Sequence, residues 1–131
     1  AEAGLEDSVE FLGEQSTAEL VTLYRRCRVF VFPSTAETFG NPLVEAMASG
    51  APVACSNAAA MPEVAGDGAI FFEPGDAGDM ADAIRRLLDD GAFSREMSEK
   101  ALARARMFSW RRTATETIAF LKSAAERTVD R

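Results

Sequence analysis

Apolar and polar residues alternate along this chain with two periods, one near two residues and one near three and a half. Val9 to Leu12 alternates apolar and polar, which predicts a short strand. Ser16 and Glu19 form an S-x-x-E capping box. It predicts a helix from about Thr17 to Arg26, with Leu20, Val21 and Tyr24 on one core face. Arg28 to Phe32 is the next strand, and its apolar run from Val29 fits a strand covered on both faces. Pro33 to Gly40 is a loop. The helix after it has Asn41 as expected N-cap, Pro42 at its first position and Gly50 as the C′ glycine.

Ala51 to Cys55 is a further short strand entered through Pro52, and Ser56 to Ala60 is a loop of small residues. Met61 to Val64 is a helical turn, Gly66-Asp67-Gly68 a turn, and Ala69 to Phe72 a fourth strand. Asp76 caps a helix from Ala77 to about Asp89, whose stripe is Met80, Ala83, Ile84, Leu87 and Leu88 and whose end is Gly91. A helix from Phe93 to Met107 follows, with Ser94 as its cap. Ser109 caps a last helix to about Glu126, with Ile118, Phe120 and Leu121 apolar, and the tail to Arg131 reads as frayed. Strands alternating with helices predict an α/β fold, a Rossmann-like parallel sheet flanked by helices. There is no internal repeat and no low-complexity linker.

At 131 residues the chain is one domain at most, with a hydrophobic fraction of 47% that suits a soluble globular core. The net charge of −7 argues against a nucleic-acid or anionic-membrane surface. It also leaves a phosphate ligand with few lysines and arginines, so a helix terminus would have to share their work. No apolar run approaches a membrane span, and the opening A-E-A-G-L-E-D is not a secretory signal. With no His, a His-containing metal site or triad within this chain is excluded, and no D-x-D pair is present. Cys27 and Cys55 fall at opposite ends of neighbouring predicted strands, on the order of 15 Å apart, and are expected to be reduced. That expectation fits a cytoplasmic protein.

The stretch from Pro33 to Gly50 carries the candidate chemistry. Strand, loop and helix N-terminus form the arrangement that binds anions, because the first helix amides lack intrahelical partners. Two carboxylates frame it, Glu37 on the loop and Glu45 on the helix. Glu45 stands alone among Leu43, Val44, Ala46, Met47 and Ala48. Buried on so apolar a helix it needs a partner; on the solvent face it needs none.

The spacing E-x7-E, with P-S before it and F-G inside it, resembles the retaining glycosyltransferases of family 4 (group 1). L-V-E-A-M-A-S-G-A-P-V, S-N-A-A-A-M-P-E-V-A-G-D, P-G-D before a helix and the late F-S-W resemble the same family in the same order, from about Val9 to Phe120. The resemblance implies the GT-B architecture of two Rossmann-like domains around a cleft. Residues 1–131 would be a partial C-terminal nucleotide-sugar-binding domain, without the acceptor domain, the first strands, or the G-R-x-x-x-K-G segment that contacts donor phosphates. Truncation would leave a sheet edge through which copies could associate.

The resemblance also implies a role for each site residue. Glu37 would hydrogen-bond hydroxyls of the donor sugar at the reacting centre. Glu45 would bind the ribose diol. Thr38, Phe39, Gly40 and Asn41 would bring backbone amides to the sugar and diphosphate, and Leu43 would add an early helix amide. Phe39 can equally be a core aromatic, and Pro33 and Ser34 plain loop. Glu63, after Ala59-Ala60 rather than Gly-Gly or Ser-Ser, reads as structural, and Phe108 and Trp110 as packing residues. Gly13 to Gln15 would lie near the base.

The implied reaction transfers a sugar from a nucleotide-diphosphate-sugar to a hydroxyl acceptor, sugar or lipid-linked, with anomeric retention. It needs no cofactor and no metal. The acceptor domain could bring the enzyme to the inner membrane surface. Two other readings stay open: a nucleotide- or phosphate-binding α/β module without transfer chemistry, which would have no use for Glu37, and a GT-B-type nucleotide-sugar epimerase.

Overall fold

The structure, a computed structural model, describes residues 4–129; the readings made of residues 1–3 and 130–131 lie outside them. Three parallel strands, β1 (Phe30–Phe32), β2 (Val53–Ser56) and β3 (Ile70–Phe72), pair in chain order, with Phe30 opposite Val53 and Ala54 opposite Ile70. Helix α1 (Thr17–Arg26) precedes β1, α2 (Asn41–Ala48) joins β1 to β2, and α3 (Met61–Ala65) lies before β3. Helices α4 (Ala77–Asp89), α5 (Gly91–Ala105) and α6 (Trp110–Val129) follow. The fold is therefore the expected α/β sheet flanked by helices.

All four residues of β2 are buried, and its alternation splits the core in two. Val53 and Cys55 meet Leu43 and Met47 of α2, Met61 and Val64 of α3, and Ala101 of α5. Ala54 turns the other way, toward Phe72, Ala83 and Leu87 of β3 and α4, and Met97 of α5. A centre strand apolar on both faces is what helices on both sides of a sheet require.

Several boundaries follow local chemistry closely. The Ser16–Glu19 capping box forms, with the Ser16 amide donating to Glu19 Oε2 at 2.8 Å and the Glu19 amide to Ser16 Oγ at 3.3 Å. Asp76 Oδ1 accepts from the amides of Gly78 and Asp79, so α4 begins where expected. Ser109 Oγ accepts from the Arg112 amide at the start of α6.

Other expectations fail. Val9 to Leu12 is not a strand, and the Phe11 side chain is 95% exposed. Alternation alone cannot hold a strand, because its backbone groups need a ladder partner. In the 3-2-1-4-5-6 order of doubly wound sheets, three adjacent strands in chain order form one half. The strand preceding them in sequence lies at the far edge of the other half, away from β1. Among the described residues Val9 to Leu12 pairs with no strand.

Gly91 does not end the helix before it but begins α5, so the helix expected from Phe93 to Met107 runs two residues earlier, and Ser94 is not its cap. Asp90 wins both roles. Its amide donates to the Arg86 carbonyl and closes α4, while its carboxylate accepts from the amides of Ala92 and Phe93 at 3.0 and 2.9 Å and opens α5.

Cys27 and Cys55 are both free thiols, and β1 and β2 are the parallel neighbours expected. Burial pushes the Cys55 thiol from an ordinary 9.0 up to about 12. The folded state thus favours the neutral thiol, and this stabilisation is full below pH 9 and lost as pH climbs toward 12. At about pH 10 the loss from Cys55 alone should be about 1.4 kcal/mol. Urea unfolding of wild type and Cys55→Ala between neutral pH and about pH 10 measures it, and equal slopes in the two proteins would refute it.

Candidate functional site

The site grows from the end of β1. Pro33 and Ser34 leave the strand, the chain turns through Glu37 to Phe39, and α2 starts behind Gly40. Gly40 is left-handed, with φ 82°, and a Cβ there would stand 3.4 Å from Phe32 Cε1. A glycine is therefore required by the backbone angle, and the close approach to Phe32 adds to it. This displaces the expected cap: Gly40, not Asn41, is the N-cap, so Asn41 is the first helical residue and Pro42 the second. The physical reason is that the left-handed turn itself ends the loop, which leaves no cap for a side chain to make. At the other end Gly50 occupies C′ with φ 81°, as expected.

Two carbonyl and hydroxyl contacts fix the loop. The buried Ser56 hydroxyl at the end of β2 donates to the Ser34 carbonyl oxygen. The Ser34 hydroxyl in turn donates to Glu37 Oε1 at 3.3 Å. Ser56 was expected only as loop, and its role follows from a strand pairing that local sequence does not reveal.

Glu37 is half-buried and Thr38 exposed. Phe39 packs edge-on to Phe108, ring centres 5.4 Å apart, and is partly exposed, so it is both a packing and a surface residue. The Leu43 side chain is 0% exposed, and its amide already donates to the Gly40 carbonyl at 3.0 Å. It is therefore not the unpartnered early amide that was expected. Glu45 is exposed, on the outer face of α2 with Asn41, Pro42 and Ala48. Of the two readings of Glu45, the buried one is thereby set aside, although a partner is found: the Tyr24 phenol donates to Glu45 Oε2 at 3.5 Å. Burial first and the Glu45 charge second push the Tyr24 phenol above its ordinary range.

A cavity of about 280 Å³ opens beside the start of α2. Phe39, Asn41 and Glu45 form one wall, and Phe108, Trp110 and Thr113 the other. Glu37, Thr38, Gly40 and Leu43 do not line it. The second wall was missed in the sequence because Phe108 and Trp110 read as packing residues. Phe108 does pack, but Trp110 is 84% exposed. A large aromatic placed just after the Ser109 cap was the available signal.

Glu63 is exposed, and its backbone carbonyl accepts from Arg104 Nη2 while the Val64 carbonyl accepts from Arg104 Nε at 2.9 Å. Arg104 thus satisfies the last carbonyls of α3. Gln15 folds back on the Leu12 carbonyl at 2.7 Å. Among the described residues no cluster of His, Cys, Asp and Glu could hold a metal ion, and no helix is long and apolar enough to cross a membrane.

A family described as "Glycosyl transferases group 1" matches residues 1–104. The chain is 38% identical over 110 residues to the O-antigen chain mannosyltransferase B of Escherichia coli, covering 84% of this chain and 29% of that protein. It is 38% identical over 131 residues to the MMP alpha-(1->4)-mannosyltransferase of Mycolicibacterium hassiacum, covering 97% of this chain and 32% of that protein. Among solved structures it resembles the sucrose-phosphate synthase of Thermosynechococcus elongatus, with TM-score 0.85, 29% identity, and coverage of 95% of this chain and 32% of that one. It also resembles Anabaena Alr3699/HepE in complex with UDP-glucose, with TM-score 0.80, 30% identity, and coverage of 92% and 34%. The chain thus spans about a third of the length of each of these proteins.

Proposed function

Because the chain belongs to the group 1 glycosyl transferases, we propose that it forms the donor-binding part of an enzyme that moves a sugar from a nucleotide-diphosphate-sugar to a hydroxyl acceptor. The observation that carries this reading is the cavity at the start of α2, the helix that follows β1, with Asn41 and Glu45 on its wall. Ligands of open α/β sheets sit beyond the carboxyl ends of the strands. The UDP-glucose complex of Alr3699/HepE supports the ligand class.

In this reading Glu45 accepts hydrogen bonds from the ribose diol, and Glu37, held by Ser34, accepts from hydroxyls of the sugar. The bond from the anomeric carbon to the diphosphate breaks, the acceptor oxygen bonds to that carbon on the same face, and the acceptor proton leaves with the diphosphate. Preorganised positioning and the dipole at the start of α2 supply the catalysis, together with basic residues outside this chain. No cofactor or metal is required, and the enzyme works in the cytoplasm. The acceptor binds on another domain, and copies of the 131-residue chain pair through the outer edge of β1, which sedimentation at high concentration would reveal.

The test is to incubate the full-length protein with UDP-glucose, and with nucleoside-diphosphate mannose, each beside sugar and lipid-linked hydroxyl acceptors, and to follow the anomeric proton of the product by NMR. Release of nucleoside diphosphate with a product of unchanged anomeric configuration is expected. An inverted product would reject retention, and efficient transfer by these 131 residues alone would reject the division of labour.

A further inference from the structure

Tyr24 is 8% exposed, and its ring is clamped edge-on against Phe30 at 5.3 Å, in a small cluster with Ala46 and Ala51. A phenol carries one polar atom, and here that atom reaches Glu45 Oε2 at 3.5 Å. Glu45 has no such enclosure. It is exposed, it edges the cavity, and it forms no ion pair among the described residues. Left to itself, an exposed Glu samples many rotamers and gives up that freedom when a ligand binds. A rigid donor on a neighbouring helix removes part of that cost in advance.

We infer that Tyr24 is a positioning residue for the ligand site. Its phenol holds one oxygen of the Glu45 carboxylate at the lip of the cavity, and the other oxygen is set to accept from a vicinal diol. The inference rests on the proposed reading of Glu45 as the ribose ligand. A phenol is protonated, and therefore a donor, at neutral pH, and burial and the Glu45 charge raise the Tyr24 pKa further. The ring and the hydroxyl do separate jobs, since the ring packs with Phe30, Ala46 and Ala51 while the hydroxyl reaches Glu45.

Tyr24→Phe keeps the ring and deletes the hydroxyl, which separates positioning from packing. In the full-length protein, calorimetric titration with UDP, GDP and ADP, each beside its 2′,3′-dideoxy analogue, measures how strongly the diol is preferred. Tyr24→Phe is expected to weaken the best-bound nucleotide roughly three- to tenfold. It should leave the dideoxy analogue and the melting temperature unchanged. In a Glu45→Ala background it should add nothing. If Glu45→Ala removes the diol preference while Tyr24→Phe leaves it intact, the positioning role is overturned and the ribose reading stands. An equal effect of Tyr24→Phe on the dideoxy analogue would overturn it too. If Glu45→Ala leaves the diol preference intact, or no nucleotide binds the wild type, the ribose reading falls and the inference with it.

Discussion

Leu43→Ala should lower the folding stability of the chain by about 2–5 kcal/mol. Leu43 is 0% exposed and packs with Met47, Val53, Cys55 and Met61. The loss combines the transfer free energy of the deleted carbons with a cavity that the sheet above it cannot collapse to fill. Urea unfolding provides the measurement, with Phe120→Ala as the contrast. Phe120 is 65% exposed on α6, and its loss should be nearly silent. A Leu43→Ala cost below about 1 kcal/mol would mean that this face of the sheet is not closed.

The second large effect separates binding from chemistry. In the full-length enzyme Glu45→Ala removes hydrogen bonds to a diol held equally in ground and transition states, so donor KM should rise with kcat little changed. A hydrogen bond to a charged group contributes about 1.5–3 kcal/mol, or roughly 10- to 150-fold, and the exposure of Glu45 places the expectation near tenfold. Glu37→Ala should act on kcat instead, roughly 10- to 150-fold down, because the half-buried Glu37 would fix the sugar at the reacting centre. Steady-state kinetics of both variants decide the matter. An unchanged donor KM in Glu45→Ala removes the ribose assignment, and a pure KM effect in Glu37→Ala moves that residue from chemistry to binding.

What was legible in the sequence was what neighbouring residues decide among themselves. Ser16 with Glu19, Asp76 with the amides of Gly78 and Asp79, and Gly50 at C′ each depend on partners within four residues. The short strand β2 was legible because burial on both faces leaves a continuous apolar stretch, and β1 carries the same apolar pattern although it is only half-buried. Failures came where the partner is distant or where two local signals compete. Val9 to Leu12 has a strand's pattern but no neighbour, and pairing is not a property of one segment. At Asp90-Gly91, a glycine suited to ending a helix lost to an aspartate suited to starting one. Asn41 lost the cap to Gly40, whose left-handed turn ends the loop one residue earlier.

The candidate site was only partly legible for a related reason. The order of motifs located the loop and the helix, but α2 is eight residues long and only Asn41 and Glu45 mark its outer face, too short a stripe to fix it from sequence. That face is fixed by α5 and α1 packing on the others, through contacts far away in sequence. The Trp110 wall and the Tyr24 phenol come from such distant segments too.

The double duty of Asp90 has a consequence for how this chain can change in length. Helices α4 and α5 share a single residue as stop and start, so their joint has no slack. Any insertion there separates the two duties, so Asp90 keeps one helix end and the other must find a new cap or leave its amides or carbonyls bare. Pro74-Gly75, by contrast, lies in an open turn, where a Cβ on the left-handed Gly75 would meet nothing within 4 Å. Drift in loop length, tags and fused domains should therefore accumulate at such turns and spare the hinge between α4 and α5.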